Sequence, residues 1–433
     1  EKFPILDNDK GLAFVSAARI DNRDELFRLL ETPSSLRFNK TDSGLIFDAY
    51  IKWGKECVNY LLGDWSFAVW DSNKNELFIA RDHHGISGIY YYYSNDFFVF
   101  ATSLKGLLTL TQVPKRINEL SVAQVLVSWP GDGLQTAYQN ILRLPPSHTL
   151  SVSSKGIQKN QYWYAENIQP INYANEVDYI DHFRELFAES IRCRLRTQGK
   201  VGSTLSSGLD SSSVSAVAAN LLKEKNTRLP VFTSIPLFDC QGQIPPHRLA
   251  NEGHLAAKLV AFNGNMDHFQ LKAEKISVLE GIEKMLRIQD QPFHAAANTY
   301  WIIDMMENVQ KQGCNVLLTG QFGNGTISWP TSQYLNRILA PKWPVITWQN
   351  MANLRLFKRN IIKPAIPTCI LNYYRRLSLG SKPWENYSAI KQSYAKKINL
   401  CGQMKMAGFD PSFSKIKDPA TMRLEFIKPG KSI

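Results

Sequence analysis

Residues 1–164 alternate short hydrophobic runs with polar turns, a pattern that predicts β-strands joined by hairpins. Two segments with helical spacing, 23–30 and 44–53, interrupt these strands, and Asp42 or Ser43 would cap the second helix. Strands and helices that mix without strict alternation predict an α+β domain built on an antiparallel sheet. The predicted strands include residues 12–17, 67–70, 77–80, 89–93 and 97–101.

From residue 177 onward, hydrophobic strands alternate with amphipathic helices. This alternation predicts an α/β domain, a parallel sheet with helices on both faces. The polar segment 165–176 lacks periodicity and would link the two domains, which gives domain boundaries of 1–164 and 177–433. The predicted strands are 201–205, 231–235 and 315–318, and the predicted helices are 177–196, 214–223, 252–261, 276–288 and 299–312.

The net charge of +12 is concentrated at one end of the chain. Residues 331–433 contain 18 Lys or Arg against 4 Asp or Glu, so the remainder is slightly acidic. The basic residues alternate with hydrophobic ones as on the solvated face of amphipathic helices, and no nucleic-acid motif accompanies them. We therefore expect no nucleic-acid partner, with a surface for phosphate or an acidic partner as the alternative.

Neither a membrane segment nor a disulfide framework is indicated. No run approaches the roughly 20 apolar residues that span a bilayer, and the six cysteines are scattered without a C-x-x-C pair. We therefore expect a cytoplasmic protein without a membrane partner. The chain starts with Glu1 rather than methionine, so we interpret it as processed or as a fragment.

The strongest chemical signal is the sequence Leu-Ser-Ser-Gly-Leu-Asp-Ser-Ser at 205–212, between a hydrophobic strand and a helix. Helix N-termini favour anions, and small residues let the backbone approach a phosphate closely. Asp210 suits such a site if it holds a divalent cation that bridges to the phosphates. The alternative is a serine-rich loop in which Asp210 or Ser211 only caps the helix. The P-loop pattern G-x-x-x-x-G-K-[ST] is not matched.

The same loop resembles the S-G-G-x-D-S signature of N-type ATP pyrophosphatases, and it is most similar to the asparagine synthetase branch. The resemblance covers nearly the whole chain and implies an Ntn-hydrolase-like glutamine amidotransferase domain before a Rossmann-like ATP pyrophosphatase domain. Segments that resemble further family motifs, in the family's order, are 62–71, 80–85, 100–105, 231–235 and 317–325.

The resemblance also implies roles for individual residues. In this family a carboxylate attacks the α-phosphate of ATP, pyrophosphate leaves, and nitrogen then displaces AMP. Asp210 would be the catalytic residue and the Mg²⁺ ligand, with Asn324 as a weaker second ligand. The adenosine pocket would include Ile235, Thr319 and Gly320. The pyrophosphate would be held by Leu205, Ser206, Ser207, Gly208, Ser211 and Ser212. The partners would be a small-molecule carboxylate, by default aspartate, and an amine or ammonia; a homodimer is left open.

Several positions depart from the family's pattern. Ser207 replaces a glycine, Gln321 replaces a catalytic Glu or Tyr, and Asn324 replaces a metal-binding Asp. In the first domain the nucleophilic cysteine is missing, and Ala17-Ala18-Arg19 stands where the family has N-G-E. Asp42 matches the aspartate that contacts the glutamine amine. We expect either that about 60–70 residues are missing upstream or that the glutaminase is inactive, and we expect a further segment after residue 433.

Three functions are compatible with these residues. The first is an amide-forming ligase of the asparagine synthetase type. The second is a macrocyclase or lactam-forming synthetase of the same family, whose members also tend to carry inactive glutaminase domains. The third is an inactive nucleotide-binding relic, which Gln321 and Asn324 favour.

Overall fold

The computed structural model describes residues 2–128, 133–169, 171–245, 249–328 and 388–406, with isolated positions between 366 and 378. Most of the basic segment 331–433, including the family-like segment 426–433, lies outside the described residues. Internal contacts divide the chain into two compact units. The first unit comprises residues 1–18, 64–167 and 329–433, and the second comprises residues 19–63 and 168–328.

The first unit contains two antiparallel sheets. The larger sheet is formed by β1 (Ile5–Asp7), β2 (Leu12–Ile20), β3 (Gly63–Asp71), β4 (Glu76–Arg81), β8 (His148–Ser153) and β9 (Gly156–Gln161). The smaller sheet is formed by β5 (Tyr90–Tyr93), β6 (Phe98–Ala101) and β7 (Leu142–Arg143). The strand orders are β1-β2-β3-β4-β8-β9 and β6-β5-β7, so most neighbours are also adjacent in sequence, as in hairpins.

A shared hydrophobic core joins the two sheets of the first unit. Alternate residues of a strand point to opposite faces, and one face of each sheet contributes to this core. Its buried members are Ala68, Ile79, Ile89, Tyr91, Leu144 and Leu150. The other face of the smaller sheet packs on α4 (Leu104–Leu108), and α5 (Glu119–Leu126) packs on the last two described helices, α11 (Gln392–Lys397) and α12 (Leu400–Met406). This antiparallel sheet system confirms the predicted α+β class.

The second unit contains a four-stranded parallel sheet of β10 (Lys200–Thr204), β11 (Leu229–Ser234), β12 (Met266–Leu271) and β13 (Cys314–Leu318). Its helices are α1 (Arg23–Leu29), α2 (Ser34–Arg37), α3 (Asp42–Trp53), α6 (Glu176–Arg192), α7 (Leu209–Lys223), α8 (Gly253–Asn263), α9 (Val278–Gln289) and α10 (Thr299–Lys311). One face of the sheet packs on α6, α7 and α8, and the other packs on α10. The predicted parallel sheet with helices on both faces is confirmed.

The order of these strands, β12-β11-β10-β13, creates a switch point beside β10. The chain adds β11 and β12 on one side of β10 and then returns to add β13 on the other side. Connections that leave the carboxyl ends of β10 and β13 therefore diverge, and the crevice between them is where open α/β sheets bind ligands. The serine-rich loop follows β10 at this edge.

Several local predictions are wrong. The helix predicted at 214–223 begins at Leu209, and its N-cap is Gly208 rather than Asp210 or Ser211. The N-cap of α3 is Thr41, whose hydroxyl accepts a hydrogen bond from the Gly44 N–H, rather than Asp42 or Ser43. The helix predicted at 177–196 ends at Arg192, and its hydrophobic residues Ile180, Phe183 and Leu186 are between 43% and 57% exposed. The sequence reading also missed β12. No helix among the described residues is long and apolar enough to cross a bilayer.

A reciprocal capping box at the start of α9 provides a test of local helix stability. Ser277 accepts from the Glu280 N–H, and the Glu280 carboxylate accepts from the Ser277 N–H. We expect Ser277→Ala to lower the free energy of unfolding by about 1 kcal/mol. The matched control is Ser190→Ala within α6, where the hydroxyl bonds a helical carbonyl; alanine favours helices, so its effect should be neutral or slightly stabilising. Urea denaturation measures both, and equal losses would contradict the prediction.

Candidate functional site

Hydroxyl groups of the serine-rich loop bind one another rather than pointing away from the protein. Ser211 Oγ accepts from the Ser206 N–H at 3.0 Å and shares a 2.7 Å hydrogen bond with Ser206 Oγ. Ser206 Oγ also accepts from the Gly208 N–H at 3.0 Å, and Ser212 Oγ donates to the Ser206 carbonyl at 3.1 Å. These side chains fold the loop back onto the first turn of α7. They shape the loop, while Ser207 and Gly208 at its tip are exposed.

The start of the loop is fixed to the neighbouring strand. Leu205 is buried; its N–H donates to the Phe232 carbonyl at 2.8 Å, and its own carbonyl accepts from Thr233 Oγ1 at 2.7 Å. Because the Thr233 proton goes to Leu205, the 2.8 Å contact between Thr233 Oγ1 and His268 Nε2 requires the imidazole to donate. Burial lowers the pKa of His268, which favours this neutral donor. Leu205 is therefore an anchor of the loop.

Asp210 lies in the first turn of α7, and one of its carboxylate oxygens has no partner. Its Oδ1 atom is buried without a hydrogen bond among the described residues. Leaving a buried acceptor unsatisfied costs about 1–3 kcal/mol, so such an atom needs a physical reason. A bound divalent cation would provide one, since carboxylate oxygens are the ligands that Mg²⁺ prefers. The donor set at Asp210 therefore fits a cation.

Two glycines bring the loop after β13 against the start of α7. A Cβ atom added at Gly320 would lie 2.8 Å from the backbone carbon of Asp210, and one added at Gly323 would lie 2.5 Å from Asp210 Oδ2. At Gly320 the distance is too short for a side chain unless the backbone shifts, whereas at Gly323 a side chain would displace the Asp210 carboxylate. The loops that follow β10 and β13 thus meet at Asp210, as the switch point of the sheet requires.

The remaining predicted residues lie at the same edge of the sheet. Ile235 follows β11, with its N–H donating to the Leu271 carbonyl at 2.8 Å, and Thr319 follows β13. Asn324, the predicted second cation ligand, is exposed, and its Oδ1 accepts from Ser328 Oγ at 3.3 Å. No cluster of three or more His, Cys, Asp or Glu side chains of metal-binding geometry occurs among the described residues. Asp210 is thus the one predicted ligand with an unpaired buried oxygen in the described chain.

Sequence reasoning missed one carboxylate at this loop. Glu252 Oε2 accepts from the Ser207 N–H at 3.0 Å. The signal was present, because Glu252 stands at the start of the predicted helix 252–261. An acidic residue there is usually interpreted as a favourable charge at its own helix. Its side chain instead makes no capping bond to α8 and reaches the serine-rich loop.

The predicted glutamine-binding residue, Asp42, is occupied by an ion-pair network. Its Oδ2 accepts from Arg196 Nη2 at 2.6 Å and from the Ile20 N–H at 3.1 Å, and its Oδ1 pairs with Arg23. Arg19 donates to the carbonyls of Cys193 at 2.8 Å and Arg196 at 3.0 Å. Both carboxylate oxygens of Asp42 therefore serve the protein's own structure.

Cys57, the first cysteine of the chain, does not resemble a nucleophile. It is fully buried, and burial raises the pKa of its thiol far above the ordinary range. Reactive cysteines need a thiolate and access to solvent. Cys57 therefore has the properties of a structural cysteine.

Comparison with known proteins connects both parts of the chain to one family. A family model described as a glutamine amidotransferase domain matches residues 2–163, and one described as asparagine synthase matches residues 182–366. Asparagine synthetase (glutamine-hydrolyzing) 3 of Bacillus subtilis is 27% identical over 59% of this chain and 42% of its own length. Asparagine synthetase (glutamine-hydrolyzing) 2 of the same organism is 25% identical over 90% of this chain and 53% of its own length.

A fungal relative carries a different name. Amidase chry2 of Gibberella zeae is 26% identical over 65% of this chain and 42% of its own length. The chain spans about half the length of the curated relatives it matches. The similarity thus reaches both biosynthetic synthetases and a protein named an amidase.

Removal of the charge of Asp42 tests the ion-pair network. We expect Asp42→Asn to lower the free energy of unfolding by about 2 kcal/mol, because Arg23 and Arg196 lose their shared partner. The control is Asp48→Asn, which breaks a more exposed pair with Lys40 and should cost about 0.5 kcal/mol. Chemical denaturation measures both, and similar losses would show that the network contributes no special stability.

Substitution of Gly320 tests the contact between the two loops. We expect Gly320→Ala to lower the free energy of unfolding by about 1–3 kcal/mol, since its Cβ would overlap backbone atoms that cannot rotate away. Gly242→Ala is the control, because nothing lies within 4 Å of its added Cβ; its effect should stay within about 0.5 kcal/mol. Thermal unfolding compares them, and an unaffected Gly320→Ala variant would contradict the close approach.

Proposed function

Because the chain belongs to the asparagine synthetase family, we propose that it acts as an ATP-dependent ligase that joins a carboxylate to nitrogen as an amide. The observation that supports this proposal is the compact serine-rich loop at the switch point, beside a buried Asp210 oxygen that has no hydrogen-bond partner among the described residues. Small residues, exposed backbone at Ser207 and Gly208, and a helix N-terminus together suit a polyphosphate. Aspartate is the default carboxylate.

The proposed reaction proceeds in two steps. A carboxylate oxygen attacks the α-phosphorus of ATP, and the bond from that phosphorus to the bridging oxygen breaks, so pyrophosphate leaves with the electron pair. The resulting acyl-adenylate is then attacked by nitrogen; AMP leaves, and the nitrogen loses a proton. Mg²⁺, when bound, would neutralise charge on the phosphates.

Different residues would bind the two parts of ATP: the loop after β10 would bind the pyrophosphate, and residues after the strands on either side of β10 would bind the adenosine. Ser206, Ser211 and Ser212 hold the loop in shape, and the tip at Ser207 and Gly208 would meet the pyrophosphate. Asp210 would hold the cation through its unpaired oxygen. Ile235, Thr319 and Gly320, which follow β11 and β13, would bind the adenosine. The sequence of β10, loop and α7 supports this arrangement because it gives the loop an open position at the sheet edge.

A second candidate changes the nitrogen donor and the product. The engagement of Asp42 by Arg23 and Arg196 favours ammonia or a substrate amine over glutamine bound in the first domain. A macrocyclase or lactam-forming synthetase of the same family would use such an amine, and Gln321 and Asn324 agree with a divergent substrate. Pyrophosphate release with aspartate and ammonium supports the default; release only with an amine-bearing carboxylate substrate supports the alternative.

We also propose the domain boundaries 1–164 and 177–433. The match to the first family model ends at residue 163, and the match to the second begins at residue 182, so the polar segment 165–176 lies between them. The proposed location is the cytoplasm, and the proposed partners are ATP, a small carboxylate and an amine or ammonia.

Binding of Mg-ATP tests the proposed site directly. We expect Asp210→Ala to weaken binding by about tenfold or more, because it removes a charged cation ligand. Asp267→Ala is the matched control: this aspartate pairs with Arg228 near the amino end of β12, at the opposite edge of the sheet. Calorimetry on the folded parent and variants measures their affinities for Mg-ATP. Equal affinities for Asp210→Ala and the parent protein, or no binding by the folded parent, would overturn the assignment; binding without pyrophosphate release would indicate a relic.

A further inference from the structure

Glu252 connects two segments that are distant in sequence. It is the last residue before α8, and its backbone carbonyl accepts from the Leu255 and Ala256 N–H groups at the start of that helix. Its side chain turns away from α8, and Oε2 accepts from the Ser207 N–H at 3.0 Å. The carboxylate of one connection therefore occupies the backbone donor at the tip of another.

The chemical meaning of this contact depends on what the loop binds. A backbone N–H at the tip of a phosphate loop is a donor for an anionic oxygen. In the structure the Glu252 carboxylate takes that position, so its oxygen stands where an oxygen of pyrophosphate would accept from the same N–H. Because one N–H cannot donate a full hydrogen bond to two anions, a phosphate oxygen must displace the Glu252 carboxylate.

The local charge makes this exchange unfavourable for a bare anion. Asp210 lies three residues after Ser207 and adds a second carboxylate to the same loop. Within the described part of the chain, the contact of the Glu252 carboxylate is with the Ser207 N–H, and the buried Asp210 Oδ1 has no hydrogen-bond partner, so no basic side chain is seen to neutralise either group. Among the described residues, a pyrophosphate without a cation would therefore meet these two carboxylates and no basic side chain paired with either of them. A cation that neutralises the phosphates removes this repulsion.

We propose that Glu252 determines the specificity of this loop, by holding the Ser207 N–H until a cation-neutralised phosphate replaces its carboxylate. The residue would thus make anion binding dependent on a divalent cation. This inference rests on the proposed function, because it requires that the loop binds pyrophosphate.

The test titrates inorganic pyrophosphate into the full chain by calorimetry, once with EDTA and once with excess MgCl₂. Glu252→Gln keeps an oxygen that can accept from the Ser207 N–H and removes the charge. We expect this variant to bind cation-free pyrophosphate about five- to tenfold more tightly than the parent, the effect of one partly solvated charge at contact distance. With Mg²⁺ the difference should fall below about twofold, because the bound cation compensates the same charge. Glu252→Ala should change affinity in the same direction.

Glu224→Gln is the matched control. It makes the same charge change just after the C-terminus of α7, which has 15 residues, so it lies about 22 Å from the loop by helical rise. Its ratio of affinities with and without Mg²⁺ should equal that of the parent. A merely structural Glu252 would alter both affinities together and leave this ratio unchanged.

The outcomes separate the two proposals. If the parent binds pyrophosphate and both Glu252 variants keep its ratio, the inference is overturned while the proposed function stands. Weaker binding by Glu252→Gln in Mg²⁺ also overturns it, since the carboxylate would then contribute to binding instead of competing. If the folded parent binds no pyrophosphate under either condition, the proposed function fails and this inference fails with it.

Discussion

The close approach of the loop after β13 to the first turn of α7 is the constraint on which the candidate site depends. Gly320 lies so near to the backbone of Asp210 and Ser211 that no side chain fits there, and Gly323 lies against the Asp210 carboxylate. This contact follows from the sheet, because parallel pairing of β10 with β13 brings both carboxyl ends to one edge. The serine hydroxyls then fold the intervening loop onto α7, so sheet topology and loop composition reinforce each other.

Two aspartates of the second unit show how differently one residue type can be used. Both oxygens of Asp42 accept hydrogen bonds, from Arg23, Arg196 and the Ile20 N–H, so this carboxylate has no unsatisfied oxygen. Asp210 has a buried oxygen without any protein partner in the described chain. A fully satisfied polar network makes a structure rigid, whereas an unsatisfied buried acceptor is unfavourable in free energy. A buried carboxylate oxygen without a protein partner is therefore a position where a bound cation would lower the free energy.

Local sequence was sufficient to predict the parts of this protein that local forces determine. The succession of strand, serine-rich loop and helix at 200–223 was predictable because a hydrophobic run, small residues and an amphipathic segment follow one another, although α7 begins at Leu209 rather than at residue 214. The N-cap of α3 was not, because Asp42 is drawn into pairing with Arg196, 154 residues away, and Thr41 takes the capping role. The exposed face of α6 was also missed, since periodicity gives the direction of an apolar face without identifying what covers it.

The contact from Glu252 to Ser207 belongs to the same non-local class, and it changes how the loop should be understood. A pattern of small residues before a helix indicates affinity for an anion, but the pattern carries no information about an anion supplied by the protein itself. The carboxylate reaches the loop only because β11 lies next to β10 and α8 starts beside the tip of the loop. A loop that already binds an internal carboxylate must exchange it for a phosphate. Its net affinity for the phosphate therefore depends on the difference between the binding free energies of the two anions. A cation that accompanies only the phosphate determines which of the two anions is favoured.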